Sequence, residues 1–501
     1  MMGRPAASSP TANHRNRPVP NDTPQGAAAE LQRDEARVEE RSRALLKELG
    51  LGSLVLAQIL YIVGLNWIGV AGKIGPAHVV FWLVAILLFY FPSAVVVIHL
   101  NSRAPLEGGL YQWAKLGLNE FVGFMVAWNL WLYAVVNTAE LGLIVGNYLH
   151  YALGAGAGWL AESRTVTLVA EIAAVGCIML VSIRGLDLGK WVHNAGAVVL
   201  LGMFATIVLL PVIHLARGTL PAFHPFATAL PALTLFNLNV LGKMGFGALG
   251  GFEYVAILAG ETRSPARTIG FSVAIAAPIV ALMFILGTSS LLAFVPPDKI
   301  DLIGPIPQVL TVALRGFGPI AYVVSATILL TLGLRLAQSS LIFTSVVRLP
   351  MVVGWDGLLP EWFSRLHREH RTPVNSILVV GALSVALGAL SVLGVGEQEA
   401  YQLLFSGNGI LYALTYLVMF AIPLIGFRGL APRAPLAVRA AAVSGFLMTL
   451  LFVVLSIFPI VSVQSRAVFA AKVAGVVLLP NLAGALLFLR ARGRRGGVRR
   501  G

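Results

Sequence analysis

Charge is what this chain has least of. Lys, Arg, Asp and Glu make up only 12% of its 501 residues, against the roughly one quarter that a water-soluble domain needs to solvate its surface. Apolar residues reach 57% and the mean hydropathy is +0.83, so most of the surface must face lipid. Acidic residues are the scarcer sign: 22 against 36 basic ones, a net charge of +14. A basic excess can mean phosphate binding, but here Lys and Arg fall in short clusters between apolar runs, and no zinc-finger or RNP-like motif accompanies them. No nucleic-acid partner is expected.

Cysteine is nearly absent. Cys177 alone excludes an internal disulfide and a cysteine metal cluster; mid-span beside Ile178 and Met179, it reads as a small buried core residue. There is no H-E-x-x-H, no G-x-S-x-G and no ATP-binding loop, so a membrane enzyme of those types and an ATP-driven pump are disfavoured. No cofactor or metal is called for. The first 50 residues lack the apolar core of a cleaved signal peptide.

What is abundant is the long apolar run. Segments of about 20 mostly apolar residues, the length that crosses a bilayer, lie near 52–72, 77–100, 119–150, 165–183, 190–214, 235–260, 269–294, 317–347, 374–394, 400–426, 438–461 and 468–489. The expectation is an all-α membrane protein of about twelve helices. Residues 1–48 form a polar tail, partly disordered over 1–30 and helical over 31–48; 49–490 form the membrane domain; 491–501 form a basic tail. Placing the N-terminus inside puts Arg103, Lys115, Arg184, Lys190, Arg263, Arg267, Arg348, Arg365, Arg368, Arg371, Arg428, Arg433 and Arg439 on that side, with further arginines after Arg490. It leaves a sparse set outside, including Lys73, Arg164, Arg217, Lys243, Lys299 and Lys472. By the positive-inside rule both termini are cytoplasmic, in a plasma membrane.

Two spans look broken. The first holds Gly64-Leu65-Asn66-Trp67-Ile68-Gly69, and the sixth holds Gly245-Phe246-Gly247-Ala248-Leu249-Gly250-Gly251-Phe252-Glu253. Unwound backbone at membrane depth is tolerated where it lines a cavity or is buried in protein, and interruptions at corresponding spans point to inverted repeats around a midplane site. The G-x-G-x-x-G at 245–250 matches a dinucleotide fingerprint, but it lies in an apolar span with no preceding strand. Close helix packing through small residues is its plainer alternative.

Pro105-Leu-Glu-Gly-Gly-Leu-Tyr-Gln-Trp113, Phe246–Glu253 with Gly260-Glu-Thr-Arg-Ser-Pro-Ala-Arg267, and Asp356-Gly-Leu-Leu-Pro360 with Arg371-Thr-Pro373 occur in that order along the chain. Together they resemble the signatures of the amino acid–polyamine–organocation family across roughly residues 50–490. The resemblance implies a five-plus-five inverted repeat with broken first and sixth helices, and alternating-access transport of an amino acid or organic amine, coupled to protons or by exchange. It places substrate at Gly64, Leu65 and Asn66 and at Phe246, Gly247, Ala248, Leu249 and Gly250, flanked by Asn137 and Thr138 of the third span. Half-helix termini there suit both ends of a zwitterion. The sequence departs from the family at two places: Leu65-Asn66 replaces small residues of a tight turn, and Gly247 stands where some members carry an aromatic gate. Both departures shift weight towards amines.

Glu140, Glu171, Glu253 and Arg335 are ionisable residues at membrane depth, functional hypotheses by default. The resemblance implies gating and coupling for Glu253, with capping of broken backbone as the structural alternative. Arg335 can bind an anionic group, act as a fixed cation, or pair with Glu140. Asn137 and Thr138 can equally serve as polar glue between helices. The family's coupling lysine on the fifth span aligns with Leu200, and Glu107 sits in a gate loop or a plain turn.

Overall fold

The computed structural model describes residues 33, 36–220, 232–314, 321–391, 397–426, 433–460, 463 and 465–498. The tail expected over residues 1–30 lies outside them. Among the described residues there is no strand, only an isolated bridge between Leu49 and Thr262; the fold is all-α.

The first span is α1 (Leu51–Ile62) and α2 (Leu65–Gly72), bent by 42°. The second is α3 (Gly75–Arg103). Short α4 (Leu110–Gly117) leads into α5 (Glu120–Ala139) and α6 (Leu141–Leu153), which form one long third span with a turn at Glu140. The fourth and fifth spans are α7 (Arg164–Arg184) and α8 (Leu186–Ala216). The sixth starts as α9 (Leu235–Gly242), widens into a π turn over Lys243–Gly247, loses helical form at Gly250–Gly251 and resumes as α10 (Tyr254–Ile257). There follow α11 (Pro265–Leu292), α12 (Pro305–Ala313), α13 (Ala321–Val346) with α14 (Leu349–Trp355), α15 (Val374–Ser391), α16 (Glu397–Ile425), α17 (Leu436–Leu455) and α18 (Arg466–Val498).

Among the described residues, nine helices are individually long and apolar enough to cross a membrane, and the bent first pair makes a tenth. The broken sixth span and the shorter Val374–Leu390 complete the twelve crossings marked by hydropathy. Helix starts follow local chemistry: the side chains of Asn119, Ser163 and Thr234 accept the backbone N–H of Val122, Val166 and Asn237, filling orphan donors of the first turn. Packing repeats when each span is shifted by five. Span three packs on span ten as five does on eight; span four packs on eight as nine does on three; span one packs on seven as six does on two. That is the pattern of a five-plus-five repeat.

Outward faces carry Leu87, Leu180, Val198, Leu215 and Leu479, apolar side chains fit for lipid. Two sequence expectations are corrected. Cys177 is exposed on α7 rather than buried, because its side of α7 faces outward. Lys243 is not a loop residue of the sparse side. It is buried inside the sixth span, its Nζ 3.3 Å from Ser456 Oγ and 5.5 Å from the Phe452 ring centre. In the basic C-terminal stretch, α18 continues to Val498. Residues 36–42 are helical, and Val38, Leu45 and Leu49 of this leading segment are buried against the bundle.

Candidate functional site

The two breaks face each other across one cavity. It is lined by Tyr61, Ile62, Gly64, Asn66 and Trp67 from the first span and by Tyr133, Asn137 and Glu140 from the third. Phe246, Gly247 and Gly250 come from the sixth, Arg335, Gln338 and Ile342 from the eighth, and Phe405, Asn408, Gly409 and Tyr412 from the tenth. Its volume is about 70 Å³, room for on the order of five waters or one slender organic molecule. Of the residues singled out by sequence, the structure thus brings together Gly64, Asn66, Asn137, Glu140, Phe246, Gly247, Gly250 and Arg335. Leu65, Ala248, Leu249 and Thr138 are buried but do not line the cavity; Thr138 Oγ1 instead donates to Ala134 O at 2.7 Å.

Each break is held open by a side chain that sequence reasoning missed. Unwinding the first span strands carbonyls, and Gln338 Nε2 donates to two of them, Leu60 O at 3.0 Å and Val63 O at 2.7 Å. In the sixth span the N–H of Gly251 donates to Tyr416 Oη at 2.6 Å. Gly251 has φ +143°, and a Cβ there would lie 2.5 Å from Tyr61 Cδ1, so glycine is required both by the backbone and by the first span's approach. Glu253 is fully buried, and its two oxygens accept from the hydroxyls of Tyr412 and Tyr416. Tyr412 and Tyr416 are one helical turn apart on α16, so one face of the tenth span delivers both. The spacing was visible in sequence, but not that this face meets Glu253.

Trp67 explains the glycine at 247. Its ring would stand 2.3 Å from a Cβ on Gly247 and 2.7 Å from one on Gly64, and it lies 4.7 Å from the Phe405 ring. Trp67 of the first span thus forms the aromatic wall opposite Gly247. Across the cavity, Arg335 Nη2 reaches Glu140 Oε1 at 3.5 Å and its Nη1 reaches Gln338 Oε1 at 3.2 Å. Among the described residues, three buried acceptors of the lining have no hydrogen-bond partner: Asn137 Oδ1, Glu140 Oε2 and Asn408 Oδ1. Behind Glu140, Glu171 accepts the Gly142 N–H at 2.7 Å, capping the start of α6.

The face of the bundle that carries the N-terminal segment is shut by a polar lock. Glu261 holds Arg348 through two charge-assisted bonds of 2.6 and 2.8 Å. Asp356 gathers Arg37 at 2.8 Å, Lys115 at 2.9 Å and the Tyr111 hydroxyl. Residues 36–49 lie across this lock: Arg41 donates to Trp355 O at 2.7 Å, and Leu49 exchanges backbone bonds with Glu261 and Arg263 at 3.0 Å.

The amino acid permease family model matches residues 49–479. The chain belongs to that family, part of the amino acid–polyamine–organocation class. This permease is 25% identical to an uncharacterized transporter of Legionella pneumophila over 75% of this chain and 80% of the relative. It is 21% identical to a probable agmatine/putrescine antiporter of Lactococcus lactis over 88% of this chain and 93% of the relative. It is also 21% identical to a methylthioribose transporter of Bacillus subtilis, over 71% and 77%. The permease is a multi-pass membrane transporter of small molecules.

Proposed function

We propose that this permease is a secondary active transporter of a small organic amine or amino acid, working by alternating access with proton coupling or exchange. It sits in the plasma membrane with both termini, and the Asp356 lock, on the cytoplasmic side. The observation that carries the substrate reading is the set of partnerless buried acceptors, Asn137 Oδ1, Glu140 Oε2 and Asn408 Oδ1, in a cavity walled by Trp67, Tyr133, Phe246, Phe405 and Tyr412. An ammonium brings three donors and no acceptor, and aromatic faces favour a cation. Burying acceptors unfilled costs about 1–3 kcal/mol each, so a polyvalent donor is the ligand this site favours. The agmatine/putrescine antiporter among the relatives is in keeping with it.

Arg335 favours a second reading, an amino acid whose carboxylate displaces Glu140 from the guanidinium. Thermal stability of the purified permease separates the two. A ligand that binds only the folded state stabilises it by about 2.7 kcal/mol at a hundredfold excess over Kd. Stabilisation by putrescine and agmatine but not by the parent amino acids supports the amine; the reverse supports the zwitterion. Saturable, gradient-driven uptake in proteoliposomes is expected, whereas non-saturating flux would mean a channel, and ligand binding without flux a sensor.

A further inference from the structure

The lock around Asp356 contains a carboxyl group that its ion pairs leave unused. Glu107, in the loop between α3 and α4, is 1% exposed. Its Oε2 accepts the Gly260 N–H at 2.7 Å, and its Oε1 is buried without a hydrogen-bond partner among the described residues. Three separate parts of the chain meet there. The glycine is wedged in: a Cβ on Gly260 would lie 2.8 Å from Glu107 Oε2 and 3.0 Å from Leu45 Cδ1 of the leading segment. The Glu107 loop is also tied to the end of α10, where the Gly108 N–H donates to Ile257 O at 3.1 Å.

The charged groups that face Glu107 are few. Glu261, from the loop after α10, is a like charge already engaged by Arg348 of the eighth span. Lys47, from the leading segment, spends its Nζ on Gly260 O at 3.2 Å. Burial first, and the Glu261 charge second, push the Glu107 carboxyl up to about 8, against the lowering by Arg348, the Gly260 N–H and Lys47. Once these parts separate, water reaches Glu107 and an ordinary carboxyl near ~4.3 is expected.

We propose that Glu107 is a proton-binding site of this gate, holding a proton while residues 36–49, the Glu107 loop and the Gly260 loop are packed together and releasing it to water on their own side when they part. The inference rests on alternating access and not on which solute is carried. The shut form has the raised value, so it binds more protons between pH ~4.3 and 8. Its advantage is full below that window, falls through it and is gone above it. From pH 6 to pH 8 the shut-to-open ratio falls by about fiftyfold.

The test is the rate at which a thiol reagent reaches a cysteine placed behind the gate, in full-length protein with Cys177→Ser and Ala256→Cys. Ala256 is buried against Gly109, and rates are normalised to an exposed Trp362→Cys control, which removes the thiol's own pH trend. The normalised rate should rise at least tenfold from pH 6 to pH 8. Glu107→Gln, which keeps an acceptor for Gly260 and cannot ionise, should hold it low and flat. Lys47→Gln removes an attracting cation and should move the rise to higher pH, which keeps the test decisive if Glu107→Gln does not fold. A flat wild-type profile, an unchanged rise in Glu107→Gln, or an unmoved rise in Lys47→Gln overturns the proposal. No substrate is added, so these outcomes leave the transport reading to be judged separately, by whether substrate protects the same cysteine.

Discussion

Arg335→Met puts the strongest load on the cavity. Among the described residues the guanidinium is one of two formal charges lining it, and side-chain exposures of 11% for Arg335 and 3% for Glu140 leave little water for either. Removing one partner of a buried pair costs about 3–5 kcal/mol, because the other charge is stranded. At 3.5 Å the contact is longer than the 2.7–2.9 Å of a strong charge-assisted bond. The expected cost is therefore at the lower end, about 3 kcal/mol, on the order of a 150-fold shift in the unfolding equilibrium. The same logic fixes the double variant. Arg335→Met with Glu140→Gln removes the stranded charge and should return to within about 1 kcal/mol of the parent. Thermal unfolding of detergent-purified protein reads these stabilities, and proteoliposome uptake reads function, which should be lost in both variants. A double variant no more stable than the single would refute the pair as the source of the cost. Normal uptake by Arg335→Met would remove the guanidinium from the mechanism.

Gly247→Ala should abolish uptake while costing about 1–3 kcal/mol of stability, since the new methyl collides with the Trp67 ring at 2.3 Å; unaltered uptake would mean that Trp67 moves freely. Tyr416→Phe should destabilise more than Tyr412→Phe, because it strands both the Gly251 N–H and one Glu253 oxygen whereas the other strands one oxygen only. With each unsatisfied buried group worth about 1–3 kcal/mol, melting curves of the two variants should separate by a few degrees; identical curves would show that Gly251 finds another acceptor.

Composition, hydropathy and the glycine clusters at 64–72 and 245–251 were enough for the class of protein, its crossings and the two broken spans, while the family came from the resemblance of the motifs at 105–113, 246–267 and 356–373. These properties are local: a run of apolar residues must enter lipid whatever its neighbours are, and a helix with several glycines is weak wherever it sits. Half of the cavity was legible for the same reason, since Gly64, Asn66, Gly247 and Gly250 line it from the breaks themselves. The rest was decided by which face of one helix meets another. Leu65 and Leu249 turn into the core, Gln338 caps the first break, and Tyr412 and Tyr416 close on Glu253 from the tenth span. Lys243 was misplaced as a loop charge because its countering surroundings, Ser456 and Phe452, lie more than two hundred residues away in sequence. The gate at Glu107 depends on three chain segments that meet only after folding. A buried polar group must find its partners through space, and a single sequence names the groups but not the partners.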